Sequence, residues 1–199
     1  MALRTLFATR LYEADIGNDK LLAELAYSIR SLASDDEAGR RWSKTQRYPG
    51  YTSYASLNDL PRRDPSIAEL GRLLTRQAVN FAEECAFDLP RKPRLDSLWV
   101  NLLKTGGHHS GHIHPHSIIS GTFYVEAPDG SGAIRFEDPR LAAMMAAPPR
   151  AKDAPEDLQP FVTVKPRAGL LLLWESWLRH EVLAGRGAGE RLSISFNFA

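Results

Sequence analysis

The chain has one cysteine in 199 residues, Cys85, so an intrachain disulfide is excluded and nothing points to an oxidising compartment. It has almost no net charge: 25 Lys and Arg against 24 Asp and Glu give +1, which makes no electrostatic case for a nucleic-acid or membrane partner. The short basic clusters Arg62-Arg63 and Arg91-Lys92-Pro93-Arg94 sit beside proline without interleaved aromatics, and read as solvated loops. No apolar run reaches membrane-spanning length, and the opening Met1-Ala-Leu-Arg-Thr-Leu-Phe7 soon meets Glu13 and Asp15 without the apolar core of a secretory signal. These absences lead to the expectation of a cytoplasmic protein. No internal repeat is visible, and the length suits one domain.

Two amphipathic helices are expected in the first half. Asn18 can cap a helix whose apolar positions Leu21, Leu22, Leu25, Ile29 and Leu32 recur at helical spacing. Asp64 and Pro65 open a second, with Ile67, Leu70, Leu74, Ala78, Phe81 and Cys85 on one stripe and Pro90 closing the region. A strand is expected over Leu6–Leu11, and irregular chain from Asp35 to Pro61. After Arg94 the pattern changes to strands, expected at Leu95–Leu103, Ile118–Glu126, Gly132–Phe136, Phe161–Val164, Leu170–Trp174 and Arg191–Phe198. The stretch 138–160 is rich in proline and charge, and reads as a surface loop or a lid. Helices followed by strands indicate an α+β, mainly β, chain with N-terminal helices backing one face of an antiparallel sheet.

The last strand alternates. Leu192, Ile194, Phe196 and Phe198 would face the helices, while Arg191, Ser193, Ser195 and Asn197 would face either solvent or a barrel interior. An inward arginine calls for an anion.

Five of the six histidines, His108, His109, His112, His114 and His116, fall within nine residues, and the sixth is His180. In extended chain residues i and i+2 point the same way, so His112 and His114 can offer two imidazoles to one ion, with His180 closing the site from another strand. Imidazole suits Fe, Zn, Cu and Ni alike, and three protein ligands leave positions open for chemistry. His108, His109 and His116 read better as flanking groups, donors to the ligands or substrate contacts.

Taken in order, His112-Ile-His114-Pro115, Ser120-Gly-Thr-Phe-Tyr-Val125, Phe136-Glu-Asp-Pro-Arg140, His180 and Arg191-Leu-Ser193 resemble the Fe(II)/2-oxoglutarate oxygenase family related to prolyl hydroxylases. The resemblance begins near Tyr48-Pro-Gly-Tyr-Thr-Ser53 and Trp99-Val-Asn101, and so spans most of the chain. It implies a double-stranded β-helix (a cupin-like jelly roll) over 95–199, behind an N-terminal part over 1–94. It implies an oxidoreductase, a dioxygenase that uses Fe(II), 2-oxoglutarate and O2 on an unknown substrate and releases succinate and CO2. It implies that His112 and His180 are metal ligands, and that His114 stands where the wider superfamily has a carboxylate. Arg191 would hold the distal carboxylate of 2-oxoglutarate, with Ser193 and Tyr124 assisting. Asn101 and Trp174 are further pocket candidates.

The His-x-His form leaves one more unit of positive charge on the metal than the two-histidine, one-carboxylate triad. Either His114 ligates, or a nearby acid such as Glu137 or Asp138 reaches the ion. Two other functions fit part of the pattern: a three-histidine cupin dioxygenase without 2-oxoglutarate, and a non-catalytic metal-binding protein. The glycines of Gly185-Arg-Gly-Ala-Gly189 precede a strand, so a hairpin loop explains them better than dinucleotide binding.

Overall fold

The computed structural model describes residues 2–199. Its elements run β1 (Leu11–Asp15), α1 (Asp19–Asp35), α2 (Glu37–Thr45), β2 (Gly50–Thr52), α3 (Leu60–Arg63), α4 (Pro65–Glu84), β3 (Leu95–Leu103), β4 (His109–His112), β5 (Ile119–Glu126), β6 (Ile134–Glu137), β7 (Phe161–Val164), β8 (Leu170–Glu175), β9 (His180–Val182) and β10 (Arg191–Phe198). All pairings are antiparallel. One sheet has the order β1-β8-β5-β10-β3-β2 and the other β4-β9-β6-β7, and the two close on each other as a jelly roll.

The helices start where their caps stop the chain from extending. Asn18 accepts from the Leu21 amide at 2.9 Å, and Asp64 accepts from the amides of Ser66 and Ile67 at 2.8 and 3.1 Å. Leu21, Leu25 and Ile29 of α1 and Ile67, Leu70, Leu74, Ala78 and Phe81 of α4 are buried against Leu192, Ile194, Phe196 and Phe198. That cluster is the main core. A smaller apolar group, Tyr124, Ile134, Phe136, Leu170, Leu172, Trp174 and Leu178, fills part of the space between the sheets. Gly121 marks how tight the helix-side layer is, since a Cβ there would meet the Phe196 ring at 2.5 Å.

Four expectations need correction. The first strand is Leu11–Asp15, not Leu6–Leu11, because the register pairs Leu11 with Trp174 and Asp15 with Leu170, which puts Tyr12 and Ala14 against the core. The stretch 35–61 is not irregular: it holds α2, β2 and the start of α3. Helix α2 has no apolar stripe because its buried positions are Gly39 and Ser43, and Asp36 caps it through the Gly39 amide at 2.9 Å. Two short strands in the histidine-bearing segments, β4 and β9, went unpredicted; each owes its form to its partner strand. The strand expected at Gly132–Phe136 begins at Ile134, where pairing with both β7 and β9 starts.

The glycine run 185–189 connects β9 to β10 and packs backbone to backbone on residues 129–132. A Cβ at Gly187 would lie 1.8 Å from the Asp129 carbonyl oxygen, and one at Gly132 would lie 1.9 Å from that of Leu183. Close approach explains these glycines, with no nucleotide needed.

Candidate metal and cosubstrate site

The three histidines are brought together by the edge strand β4 and its neighbour β9. In β4 and β9, His112 lies directly opposite His180, with ring centroids 4.5 Å apart. His114 lies just past the end of β4, where its amide donates to the Ser176 carbonyl at 3.0 Å. Its ring stacks on that of His180 at 5.2 Å and on Trp99 at 5.9 Å. One ring nitrogen from each of His112, His114 and His180 falls within 4.8 Å of the others.

Two of these rings have their tautomer fixed. His112 Nδ1 donates to the Ser110 carbonyl at 2.7 Å, and His180 Nδ1 donates to the Leu178 carbonyl at 2.9 Å. A carbonyl can only accept, so the proton is on Nδ1 and the lone pair is on Nε2, the state a metal ligand requires. Burial holds His180 near a pKa of about 3, opposed by its bond to Leu178 and helped by the charge on His112. Burial, then His112, lowers His114 to about 4. His114 and His180 are therefore neutral imidazoles at pH 7.

No carboxylate belongs to this cluster. Glu137 accepts from Arg179 Nε at 3.2 Å, and Asp138 accepts from Arg140 Nη2 at 2.8 Å. Both acids are engaged with arginines, and neither joins the histidine cluster.

Arg191 starts β10 on its barrel-facing side and is 5% exposed. Its Nη1 donates to the Gly132 carbonyl at 3.0 Å, while Nε is buried without a partner. Its guanidinium carbon lies 5.6 Å from the centroid of the Tyr124 ring, and Ser193 pairs with Tyr124 across β10 and β5. A buried cation with an orphaned donor is costly unless an anion completes it. Burial also raises the Tyr124 phenol above its usual range, so Tyr124 stays protonated as a donor. Trp174 reaches the triad edge-on, 4.6 Å from the His180 ring, and its indole N–H is likewise buried without a partner.

Two further residues stand beside Arg191: Tyr48, which had no role assigned from sequence, and His109, which read only as a flanking, donor or substrate-contact group. Tyr48 and His109 are bonded at 2.7 Å, and the Tyr48 hydroxyl also lies 3.2 Å from Asn101 Oδ1. Burial, then the charges on Arg191, His112 and His108, lowers His109 to about 3. His109 was in the cluster and Tyr48 in the Tyr48–Ser53 segment, but no spacing rule joins positions 61 residues apart. His108 and His116 make no ring contact with the triad, and His116 has a positive φ of 74° in the turn after it.

The donor set fits the group the motif pattern implies: three converging imidazoles for a divalent metal, and an uncompensated guanidinium for a carboxylate. A family model described as "Putative 2OG-Fe(II) oxygenase" matches residues 97–197, just over half of the chain. The chain belongs to this family of oxidoreductases, which use Fe(II) and 2-oxoglutarate.

Solved structures share the fold at low identity. The epimerase SnoN from nogalamycin biosynthesis matches with a TM-score of 0.66 and 16% identity, over 96% of this chain and 76% of that one. A prolyl-4-hydroxylase from Pseudomonas putida matches at 0.62 and 15%, over 96% and 92%. HygX from Streptomyces hygroscopicus, solved with nickel and 2-oxoglutarate bound, matches at 0.59 and 13%, over 96% and 82%. None of the curated proteins matches the sequence. Among the described residues, no helix is long and apolar enough to cross a membrane.

Proposed function

We propose that this oxygenase holds Fe(II) through His112, His114 and His180, anchors 2-oxoglutarate on Arg191, and hydroxylates a C–H bond of a substrate in the space between the sheets. The observation that carries the reading is the coexistence, on one barrel interior, of three metal-competent imidazoles and a buried guanidinium whose Nε has no partner. When bound, Fe(II) supplies an oxidation in which one oxygen atom of O2 enters the substrate C–H bond and the other enters 2-oxoglutarate, which leaves as succinate and CO2.

The chain's own residues do the rest. Arg191 offers a planar fork to the distal carboxylate, and the Ser193 hydroxyl and Tyr124 phenol stand beside it as further donors. The Ser110 and Leu178 carbonyls keep the Nε2 lone pairs of His112 and His180 aimed at the metal. Phe136 and Trp174 line the interior against His180 and exclude water from it.

Segment 138–160 acts in this reading as a lid. Leu141, Met144 and Pro148 from it, with Phe7 and Leu11 from the N-terminal segment, line a groove of about 880 Å³ whose wall includes Phe136 and Leu178 beside the triad. The groove gives the substrate its volume, and the lid controls its entry. A chain with one cysteine is compatible with a reducing cytoplasm, the location this reading assigns.

A three-histidine dioxygenase without cosubstrate leaves Arg191 with no acid to meet. The two are separated by adding 2-oxoglutarate to the anaerobic Fe(II) protein. Chelation produces a visible charge-transfer band, and admitting O2 then yields succinate. Iron binding with no band and no succinate would remove the 2-oxoglutarate reading.

A further inference from the structure

The jelly roll has a seam where its two sheets end. Strand β2 is the last strand of the larger sheet and β4 the last of the smaller, and no ladder joins them. Tyr48, two residues before β2, crosses this seam to His109, the first residue of β4, at 2.7 Å. The rings are 5.4 Å apart. We propose that the Tyr48–His109 bond is a positioning staple that fixes the metal-ligand strand β4 against the Arg191 strand, setting the span that 2-oxoglutarate must bridge.

The staple is anchored on both sides. The Tyr48 amide donates to the Ser43 carbonyl at 2.8 Å, and the Gly50 amide donates to the Tyr48 carbonyl at 2.8 Å. Gly50 has φ 147° and sits so close to β3 that a Cβ would meet the Leu102 carbonyl oxygen at 1.9 Å, so only glycine lets the segment lie down there. From the hydroxyl, the network continues into the larger sheet. Asn101 Oδ1 lies 3.2 Å from Tyr48, and Asn101 Nδ2 donates to Ser195 Oγ at 3.1 Å. Ser195 is on β10, on the same face as Arg191 and Ser193. On the other side, His109 is three residues from His112 in β4.

The polarity of the chain follows from its ends. Asn101 Oδ1 can only accept, so the Tyr48 hydroxyl donates to it. The Tyr48 oxygen is then the acceptor, and His109 donates from Nε2. The staple therefore needs a hydroxyl at 48 and an N–H donor at the far end of the 109 side chain. The glutamine amide nitrogen can reproduce that donor, whereas leucine cannot. Neither residue belongs to the triad, and His109 works through the strand that carries His112.

This inference rests on 2-oxoglutarate binding at Arg191, so the test reports the two separately. The native protein and the variants Tyr48→Phe, His109→Leu and His109→Gln are loaded with Co(II) and titrated with 2-oxoglutarate by calorimetry; Co(II) affinity is measured in parallel. The staple predicts that Tyr48→Phe and His109→Leu weaken 2-oxoglutarate binding about tenfold, with Co(II) affinity within about twofold of native, and that His109→Gln recovers most of the loss. Native-like 2-oxoglutarate affinity in Tyr48→Phe and His109→Leu overturns the staple and leaves the oxygenase reading intact. An equal fall in Co(II) affinity also overturns it, because the bond would then be supporting the fold or the triad itself. A native protein that binds Co(II) but no 2-oxoglutarate overturns both.

Discussion

The two faces of β10 have different tasks although they are made by one strand. On the helix side, Leu192, Ile194, Phe196 and Phe198 are fully buried among apolar neighbours and give the sheet its stability. On the barrel side, Arg191, Ser193, Ser195 and Asn197 are also mostly buried, yet every one is polar. Asn197 is satisfied by Ser120 and Ser97 at 2.8 and 3.0 Å, and Ser195 by Asn101. Arg191 keeps an orphaned donor. The difference teaches where to look for function: polar burial that is completed within the protein is architecture, and polar burial left incomplete is a site.

This contrast can be broken by substituting one face at a time. The largest effect is expected from Phe196→Ala, which removes a fully buried ring from the helix-side layer and should lower unfolding free energy by about 3–5 kcal/mol. Denaturant melts should show that loss, with Co(II) affinity of the folded protein nearly unchanged. On the other face, Arg191→Met should weaken 2-oxoglutarate binding by about 2–5 kcal/mol, and calorimetry should find metal affinity preserved. Arg191→Lys should recover little, since an ammonium cannot reproduce the planar fork.

His180→Ala removes a ligand directly, so its metal affinity should fall by more than the roughly 10–100-fold typical of losing a supporting partner. Equilibrium dialysis measures it, and an effect smaller than tenfold would mean the ion binds elsewhere.

A pH-dependent effect, spread over several pH units, sharpens the comparison further. His109 and His180 drop from 6.5 to about 3 on folding, chiefly by burial. Below pH 6.5 the unfolded chain takes up protons that the folded chain refuses, so the metal-free protein should lose stability as pH falls from 6.5 towards 3. Each of these two histidines contributes at most about 1.4 kcal/mol per pH unit in that window. Denaturant midpoints between pH 7 and 4 test this. A flat profile would show that the histidines are not shielded in the folded state.

Much of the fold was legible because periodicity records burial. The strands Leu95–Leu103, Phe161–Val164 and Arg191–Phe198 were placed to the residue, and the Asn18 and Asp64 caps start their helices. What was missed shares a physical cause. Strands β2, β4 and β9 have three or four residues each, too few for a pattern, and exist because a longer neighbour pairs with them. Helix α2 buries only small polar or glycine positions and leaves no apolar stripe.

The convergence of the three histidines was legible because i and i+2 spacing and a distant third histidine suggest it, and the strand register brings them together. The Tyr48–His109 bond was not, because it depends on which sheet edges meet, a property of the closed barrel and of no local segment.

The central claim is that one metal and one dicarboxylate share the barrel interior between the three histidines and Arg191. Crystals grown anaerobically with Fe(II) and 2-oxoglutarate, with an anomalous map collected at the iron edge, test it most directly. The account predicts a single iron peak among the ring nitrogens of His112, His114 and His180, and a dicarboxylate whose far end meets the Arg191 guanidinium. Iron held instead by His108 and His109, or a dicarboxylate that leaves Arg191 Nε without a partner, would contradict it.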